Sequence, residues 1–516
     1  MTPARALFIA GALIACAAPA LAADRSAGAN VPKPSSSGAP WSDGQISAVH
    51  TNVDLALARA ASLQRAHIGM YAIDAHDGRV IYERNQDEAF QPASTFKLVV
   101  GNAALDKLGP AFHFTTQAYV SDPVVDGALQ GPLHLRGNGD VLLDDRVLAS
   151  LPDALRTAGI ASVRGVVPDP EPFPAYLPGW SWDDFPWYYA APVTALGFND
   201  NAIGVTIAPG ATVGAPAVVS VTPWGSACVA PGPCASEQGF TIWNDATTSA
   251  AGGARTVDAE LRRGEPLGNV HLIGAIPLGS TSENFSLAAP EPQRYAAAAA
   301  ARALRAGGIT VNAAPVAPAA VQASAPIAAI AAPQRVVWSH DSEPLSDLLF
   351  DLWLPSDNIL AEELLRSVAA TADKPYPGTA AGIAAEQGWL RGLGANLATI
   401  TIEDGSGLST YDRIAPRDLV TILKHEWDSP QRDVVLDDLP IAGSRGTLKS
   451  EYTDPAIVGR VFAKSGSVSH VRCLAGYIAT RTHGTVIFAL QIDDWVGEFA
   501  ELQRARERVL AEIAAL

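Results

Sequence analysis

Three short stretches hold residue types that can move an acyl group. In "QPASTFKLVVG" (91–101), Ser94 and Lys97 stand three apart where an apolar, helix-like run begins. In "PSDN" (355–358), Ser356 and Asn358 follow Pro355 at a break between two helical patterns. In "AKSGS" (463–467), Lys464, Ser465, Gly466 and Ser467 lie on strand-like sequence. A serine hydroxyl is a poor nucleophile until a neighbour takes its proton. On a helix, Lys97 lies one turn from Ser94 on the same face, so its amine can reach the hydroxyl. That amine accepts a proton only when neutral, and burial and a second cation, Lys464, both push it that way. Ser356 is placed to relay a proton to a leaving amine, and Asn358 to hold Lys97 and a substrate amide. Lys464 and Ser465 suit a terminal carboxylate, and the N–H groups of Ser94 and Ser467 suit an oxyanion hole. Each stretch has a plainer reading: Pro92 and Ser94 as a helix start, SDN as a helix cap, KSG as a strand end. The three together, in this order, point to a serine acyl-transfer site.

The elements that must hold these residues lie at both ends of the chain. A helical pattern covers 43–66, with Ile46, Val49, Val53, Leu55 and Leu57 among its apolar positions. "HIGMYAIDA" and "RVIYERN" read as a hairpin around Asp77-Gly78. Ser94 is expected to open a helix that ends near Gly109-Pro110. Later, "LLFDLWLPSDNILAEELLRSVAA" reads as helix, proline break, helix. Three strand-like runs and a closing amphipathic helix, "EFAELQRARERVLAEIAAL", follow. An antiparallel sheet covered by the first and last helices uses all these pieces, giving one α/β domain from 41–109 and 336–516. Residues 110–335 are richer in Val, Thr, Gly and Pro, with short alternating runs such as "GVTIAP" and "AVVSVTP", and read as a β-rich insertion. The insertion closes on an Ala/Pro tract, "AAPVAPAAVQASAPIAAIAAPQR", that is loop-like in composition.

Nearly half of the 516 residues are apolar and charge is moderate, as in a soluble globular protein. The formal net charge of −17 gives a nucleic-acid or anionic-membrane role no electrostatic support. Residues 1–22 carry one early cation (Arg5), a short apolar core and a small-residue exit at Ala20-Leu21-Ala22, the pattern of a secretory signal. "LIAC" at Leu13 to Cys16 resembles a bacterial lipobox, so lipidation at Cys16, with loose membrane association, is the alternative to cleavage after Ala22. Both place the protein in the periplasm. Residues 23–40 read as a flexible linker. Cys228 and Cys234 flank Pro231, Gly232 and Pro233, and a small disulfide loop is the favoured reading in an exported protein. Cys473 is left as a buried thiol. No metal site is expected, because the ten histidines are scattered and "KHEWD" around His425 lacks a second histidine. No cofactor is expected.

The order S-x-x-K, S-D-N, K-[TS]-G is the signature set of penicillin-interacting serine enzymes. With "GWSWDDFPWYYAAPVTALGFNDN" (179–201), "EDGSGLS" (403–409) and "LPIAGSRGTL" (439–448), the chain resembles the D-alanyl-D-alanine carboxypeptidase/endopeptidases, the class C low-molecular-mass penicillin-binding proteins. The resemblance covers nearly the whole mature chain. It implies a transpeptidase/β-lactamase-like domain with an insertion forming two extra domains. It also implies cleavage of D-Ala–D-Ala ends and cross-links in peptidoglycan stem peptides, with β-lactam antibiotics as covalent inhibitors. By the same resemblance, Asp184 lies near the substrate's side-chain end, where it can pair with a stem-peptide amine. Trp180, Trp182 and Trp187 read as packing anchors, and "DGSGLS" as a turn-rich wall of the cleft. Two departures stand out. The third motif is KSG where KTG is commoner, and Thr410 stands where the family often has arginine, with Arg413 following. A serine β-lactamase shares fold and motifs, but those enzymes are shorter, and the class A type carries an E-x-x-L-N segment not found here. A non-enzymatic penicillin-binding sensor or scaffold is the rival of another class.

Overall fold

The computed structural model describes residues 31–35, 37–171, 176–222, 228–234, 241–312, 334–371 and 374–516. The expected signal peptide, Cys16, the linker up to residue 30 and most of the Ala/Pro tract lie outside the described residues. The chain divides into two units. Among the described residues, one holds Thr115–Tyr176 and Ser181–His340; the other holds those from 31 to 114, Leu177–Trp180 and Asp341–Leu516. Of the stretch 110–335 read as inserted, 115–176 and 181–335 fall in the first unit, and 110–114 with a four-residue segment around Gly179 in the second.

That unit is organised on a five-stranded sheet. Helix α1 (Asp43–Arg59) starts at a capping box, in which Ser42 accepts from the Gln45 N–H and the Gln45 side chain accepts from the Ser42 N–H. The helix stops at Arg59, shorter than the expected 43–66, and a 3₁₀ turn (Ala61–Leu63) completes the stretch. Strands β1 (His67–Asp74) and β2 (Val80–Arg84) form the expected hairpin. Helices α2 (Lys97–Leu108), α3 (Leu345–Trp353), α4 (Asn358–Ser367), α5 (Thr379–Leu393) and α6 (Pro416–Asp428) follow. Strands β3 (Val461–Val468), β4 (Val471–Ala479) and β5 (Thr485–Asp493) and helix α7 (Phe499–Ala514) close the unit. The sheet order is β2-β1-β5-β4-β3, antiparallel throughout, so the first strand pairs with the last. One core joins Val49, Val53 and Leu57 of α1 to Leu502, Val509 and Ile513 of α7 and to the inward side chains of the strands. Burying that face is what holds the two chain ends together. The strand carrying Lys464 to Ser467 is therefore an edge strand.

The other unit is β-rich, as read, with five sheets of two to four strands among its described residues. It also contains a helix that the reading by strand texture missed, Pro292–Ala306, whose run of alanines after a proline at the first turn favours helix intrinsically. Cys228 and Cys234 are joined by a disulfide with Cα atoms 5.8 Å apart. Non-reducing peptide mapping should find both cysteines blocked. Their reduction should cost at most about 2–3 kcal/mol, because so short a loop removes little entropy from the unfolded chain. Cys473 is buried and free, and should react with thiol reagents only after unfolding.

Candidate active site

The nucleophile candidate sits on a strained turn. Ala93, immediately before Ser94, has φ 45°, a left-handed conformation that costs a non-glycine residue roughly 1 kcal/mol or more. Ser94 lies in a 3₁₀ turn (Ala93–Phe96), and the α-helix begins at Lys97 rather than at Ser94 as expected. Packing fixes this turn from both sides. The Trp353 indole donates to the Lys97 carbonyl at 3.0 Å, and a Cβ on Gly101 would lie 2.7 Å from that ring. On the other side, a Cβ on Gly466 would lie 2.6 Å from Pro92 O and 3.1 Å from Ser94 N. Glycine in the KSG motif is required because the edge strand runs this close to the nucleophile's backbone.

Lys97 is fully buried, and its Nζ donates to Ser94 Oγ at 3.0 Å, Asn358 Oδ1 at 2.6 Å and Ser406 O at 2.8 Å. Burial pulls this lysine down to about 8, against the pull of Asp404, Glu362 and Asp357, which favour the charged form. Asn358 is the first residue of α4, and the Asp357 side chain caps that helix by accepting from Leu360 N–H at 2.9 Å. Ser356 lies in the break with φ 71°, a second strained non-glycine residue. Its Oγ accepts from Lys464 Nζ at 2.9 Å, and Lys464 also donates to Ser465 O at 2.8 Å. Burial, and then the charge on Lys97, hold Lys464 well below the usual lysine range. The expected repulsion between the two lysines is thus expressed at Lys464. Ser465 Oγ lies 2.8 Å from Thr447 Oγ1, a hydroxyl the sequence reading did not single out. Ser467, one residue past Gly466, is exposed on the same strand.

The loop read as a cleft wall does more than line the site. Its Ser406 carbonyl is a third acceptor for Lys97, and Gly407 has φ 77° against the Ala93 carbonyl, where a Cβ would lie at 1.9 Å. Buried carboxylates hold this loop. Glu362, one turn after Asn358, accepts from the N–H groups of Gly405 (3.0 and 3.1 Å) and Ser406 (2.9 Å). Asp404 accepts from Gly407 N (2.6 Å), Ser409 N (2.7 Å) and the Trp180 indole (2.8 Å), which gives Trp180 a bracing role. Burial and Asp404 raise Glu362 to about 8, and burial holds Glu386 and Asp412 well above the usual carboxylate range. The i, i+4 spacing of Asn358 and Glu362 on α4 was the available signal.

Glu362 therefore carries a testable consequence. Raised to about 8, Glu362 is largely uncharged over the acid limb, so Glu362→Gln, which keeps the shape without the charge, should leave that limb of acylation in place; a limb moved to lower pH would show that Glu362 is ionised there. A purely structural loss would slow acylation at every pH without moving the limb. Glu362→Ala, which strands the Gly405 and Ser406 N–H groups in the interior, should in addition destabilise the fold by about 1–3 kcal/mol. Stopped-flow acylation across pH and thermal melts of both variants read these out.

Thr410, Arg413 and Asp184 complete the residues read from sequence. Thr410 is exposed and its Oγ1 donates to Gly179 O at 3.2 Å, while the Arg413 guanidinium donates to the carbonyls of Thr410 (2.9 Å) and Asp412 (2.7 Å). Arg413 is thus engaged with the backbone rather than presented as a substitute for the missing arginine. Asp184 belongs to the other unit, where its Oδ1 accepts from the Tyr189 hydroxyl at 3.0 Å. Among the residues read from sequence, Ser94, Lys97, Ser356, Asn358, Lys464, Ser465, Gly466 and Ser467 all belong to the unit built from the chain ends. Ser94–Lys97–Asn358 and Lys464–Ser356 are joined by direct hydrogen bonds. Such an arrangement can deprotonate a serine, place it beside a strand edge, and hand a proton to a leaving group.

Residues 49–515 match a family model described as the D-Ala-D-Ala carboxypeptidase 3 (S13) family. The chain is 29% identical over 453 residues to a D-alanyl-D-alanine carboxypeptidase of Actinomadura sp. (strain R39), covering 85% of this chain and 79% of that one. It is 26% identical over 441 residues to D-alanyl-D-alanine carboxypeptidase DacB of Haemophilus influenzae, covering 83% and 86%. The crystal structure of penicillin binding protein 4 (dacB) from Haemophilus influenzae shares the fold, with a TM-score of 0.74 at 24% identity over 90% of this chain and 100% of that one.

Proposed function

Starting from the fact that the chain belongs to the D-Ala-D-Ala carboxypeptidase 3 (S13) family, we propose that it hydrolyses peptidoglycan stem peptides and their cross-links through an acyl-enzyme on Ser94, and that β-lactams acylate the same oxygen. The observation that carries this reading is the 3.0 Å contact between Ser94 Oγ and the Nζ of a lysine drawn down to about 8. A lysine with that pKa is neutral in an appreciable fraction of molecules near neutral pH, and the neutral amine can take the serine proton as Oγ attacks the D-Ala–D-Ala carbonyl. The N–H groups of Ser94 and Ser467 face the developing oxyanion, and the β3 edge offers backbone partners to an extended peptide. Ser356 hands a proton to the departing D-alanine amine. Water then hydrolyses the ester, with Lys97 acting in the same way.

The second lysine contributes through charge. Lys464 makes two donated bonds and is held toward its neutral form. A substrate carboxylate arriving at Ser465 and Thr447 favours protonated Lys464, and that new charge opposes the charge on Lys97. Substrate binding thereby helps to generate the free base. Asp184 is assigned to the amine of the stem peptide, and no cofactor is needed for any step.

We infer that the protein is periplasmic. The pattern of residues 1–22 supports this, and so does the Cys228–Cys234 disulfide, a bond at home in an oxidising compartment. The decisive experiment is digestion of purified peptidoglycan followed by mass identification of products. Release of D-alanine and loss of cross-linked dimers, both blocked by benzylpenicillin, are expected. Acylation without any product would replace the enzyme reading with a penicillin-binding sensor. N-terminal sequencing of the exported protein separates cleavage after Ala22 from lipidation at Cys16.

A further inference from the structure

We propose that Asp106, His425 and Glu426 form a binding site for a first-row divalent metal ion, one that the sequence reading did not expect. The three residues meet where the last turn of α2 packs on α6 and α5, away from the serine–lysine site. One ligand atom from each lies within 4.8 Å of the others. His425 Nε2 is 2.7 Å from Asp106 Oδ2 and 3.9 Å from Glu426 Oε1. A tetrahedral zinc ion with bonds near 2.1 Å needs ligand atoms about 3.4 Å apart, so the His425–Asp106 pair, at 2.7 Å, opens by about 0.7 Å and the His425–Glu426 pair, at 3.9 Å, closes by about 0.5 Å.

The second, independent observation is Glu426 itself. Its side chain is completely buried, and Oε1 has no hydrogen-bond partner although Oε2 accepts from Ser429 Oγ at 3.2 Å. A buried carboxylate oxygen without a donor is costly, and this one faces an imidazole nitrogen and a second carboxylate. A divalent cation satisfies all three groups. The outer partners are also in place, since the Trp389 indole donates to Asp106 Oδ2 at 2.8 Å and orients that carboxylate. Access is open: Asp106 and His425 line a cleft of about 460 Å³ with Gly109, Pro110, Ser429 and Gln431, leaving room for a water as fourth ligand. Bound metal would tie the C-terminal end of α2, whose first residue is Lys97, to α6.

The test uses the full mature chain without an affinity tag, stripped with chelator and titrated with zinc chloride by calorimetry. Cobalt(II) absorption serves as a second readout of a tetrahedral site. One equivalent of zinc per chain is expected, with a rise in Tm on loading. His425→Ala and Asp106→Asn should each weaken binding by at least about tenfold and remove both the visible cobalt bands and the Tm rise. Asp106→Asn keeps the side chain's shape, so it tests the site even if the histidine variant folds poorly. Absence of saturable binding, or binding unchanged in both variants, overturns the proposal. Both readouts are independent of peptidase activity, so their outcome does not depend on the catalytic reading.

Discussion

Benzylpenicillin is expected to add one acyl group to the protein, on Ser94, and none to Ser94→Ala. Ser94 Oγ is the hydroxyl held by Lys97 on a turn strained at Ala93, with the β3 edge passing its backbone at Gly466. Ser356 also pairs with a lysine, but its Oγ accepts from Lys464, the lysine proposed to serve the substrate carboxylate. Intact mass followed by peptide mapping decides the matter. A label on Ser356, or persistent labelling of Ser94→Ala, would reverse the roles of the two serine–lysine pairs.

Lys97→Ala should slow that acylation by about a hundred- to ten-thousandfold, the usual worth of a positioned general base. Lys97→Arg should be as slow, because a guanidinium stays charged and cannot take the serine proton. Lys97→Met fills the same buried volume without the amine, and separates loss of the base from collapse of the site. Its thermal melt should show whether Asn358 and the Ser406 carbonyl, each left without the lysine's donated bond, destabilise the fold. In the wild type, the acylation rate should fall as pH drops below about 8, because the protonated lysine is the inactive form. Lys464→Ala should also be slow, but with weakened dependence on a substrate carboxylate. Acylation of Lys97→Ala at the wild-type rate would remove the lysine from the mechanism.

The amino-acid sequence alone determined what is local. Ser94 and Lys97 are three apart, so one helical turn brings them together whatever the rest of the chain does. Alternation and turn residues set the hairpin at Asp77-Gly78, and Pro355 with Asp357 set the break that carries Ser356. Membership of a serine–lysine enzyme class followed from three motifs in order. Tertiary packing decided the rest. Lys97 meets Asn358 and Ser406 only because α4 and the glycine-rich loop are packed against α2, and no spacing in the chain encodes those distances. The bracing of that loop by Glu362 and Asp404 was equally hidden, since a buried carboxylate reads in sequence like any solvated one until its partners are known. Which lysine bears the effect of the other's charge also waited for the structure, because burial and three surrounding carboxylates act through distances in space.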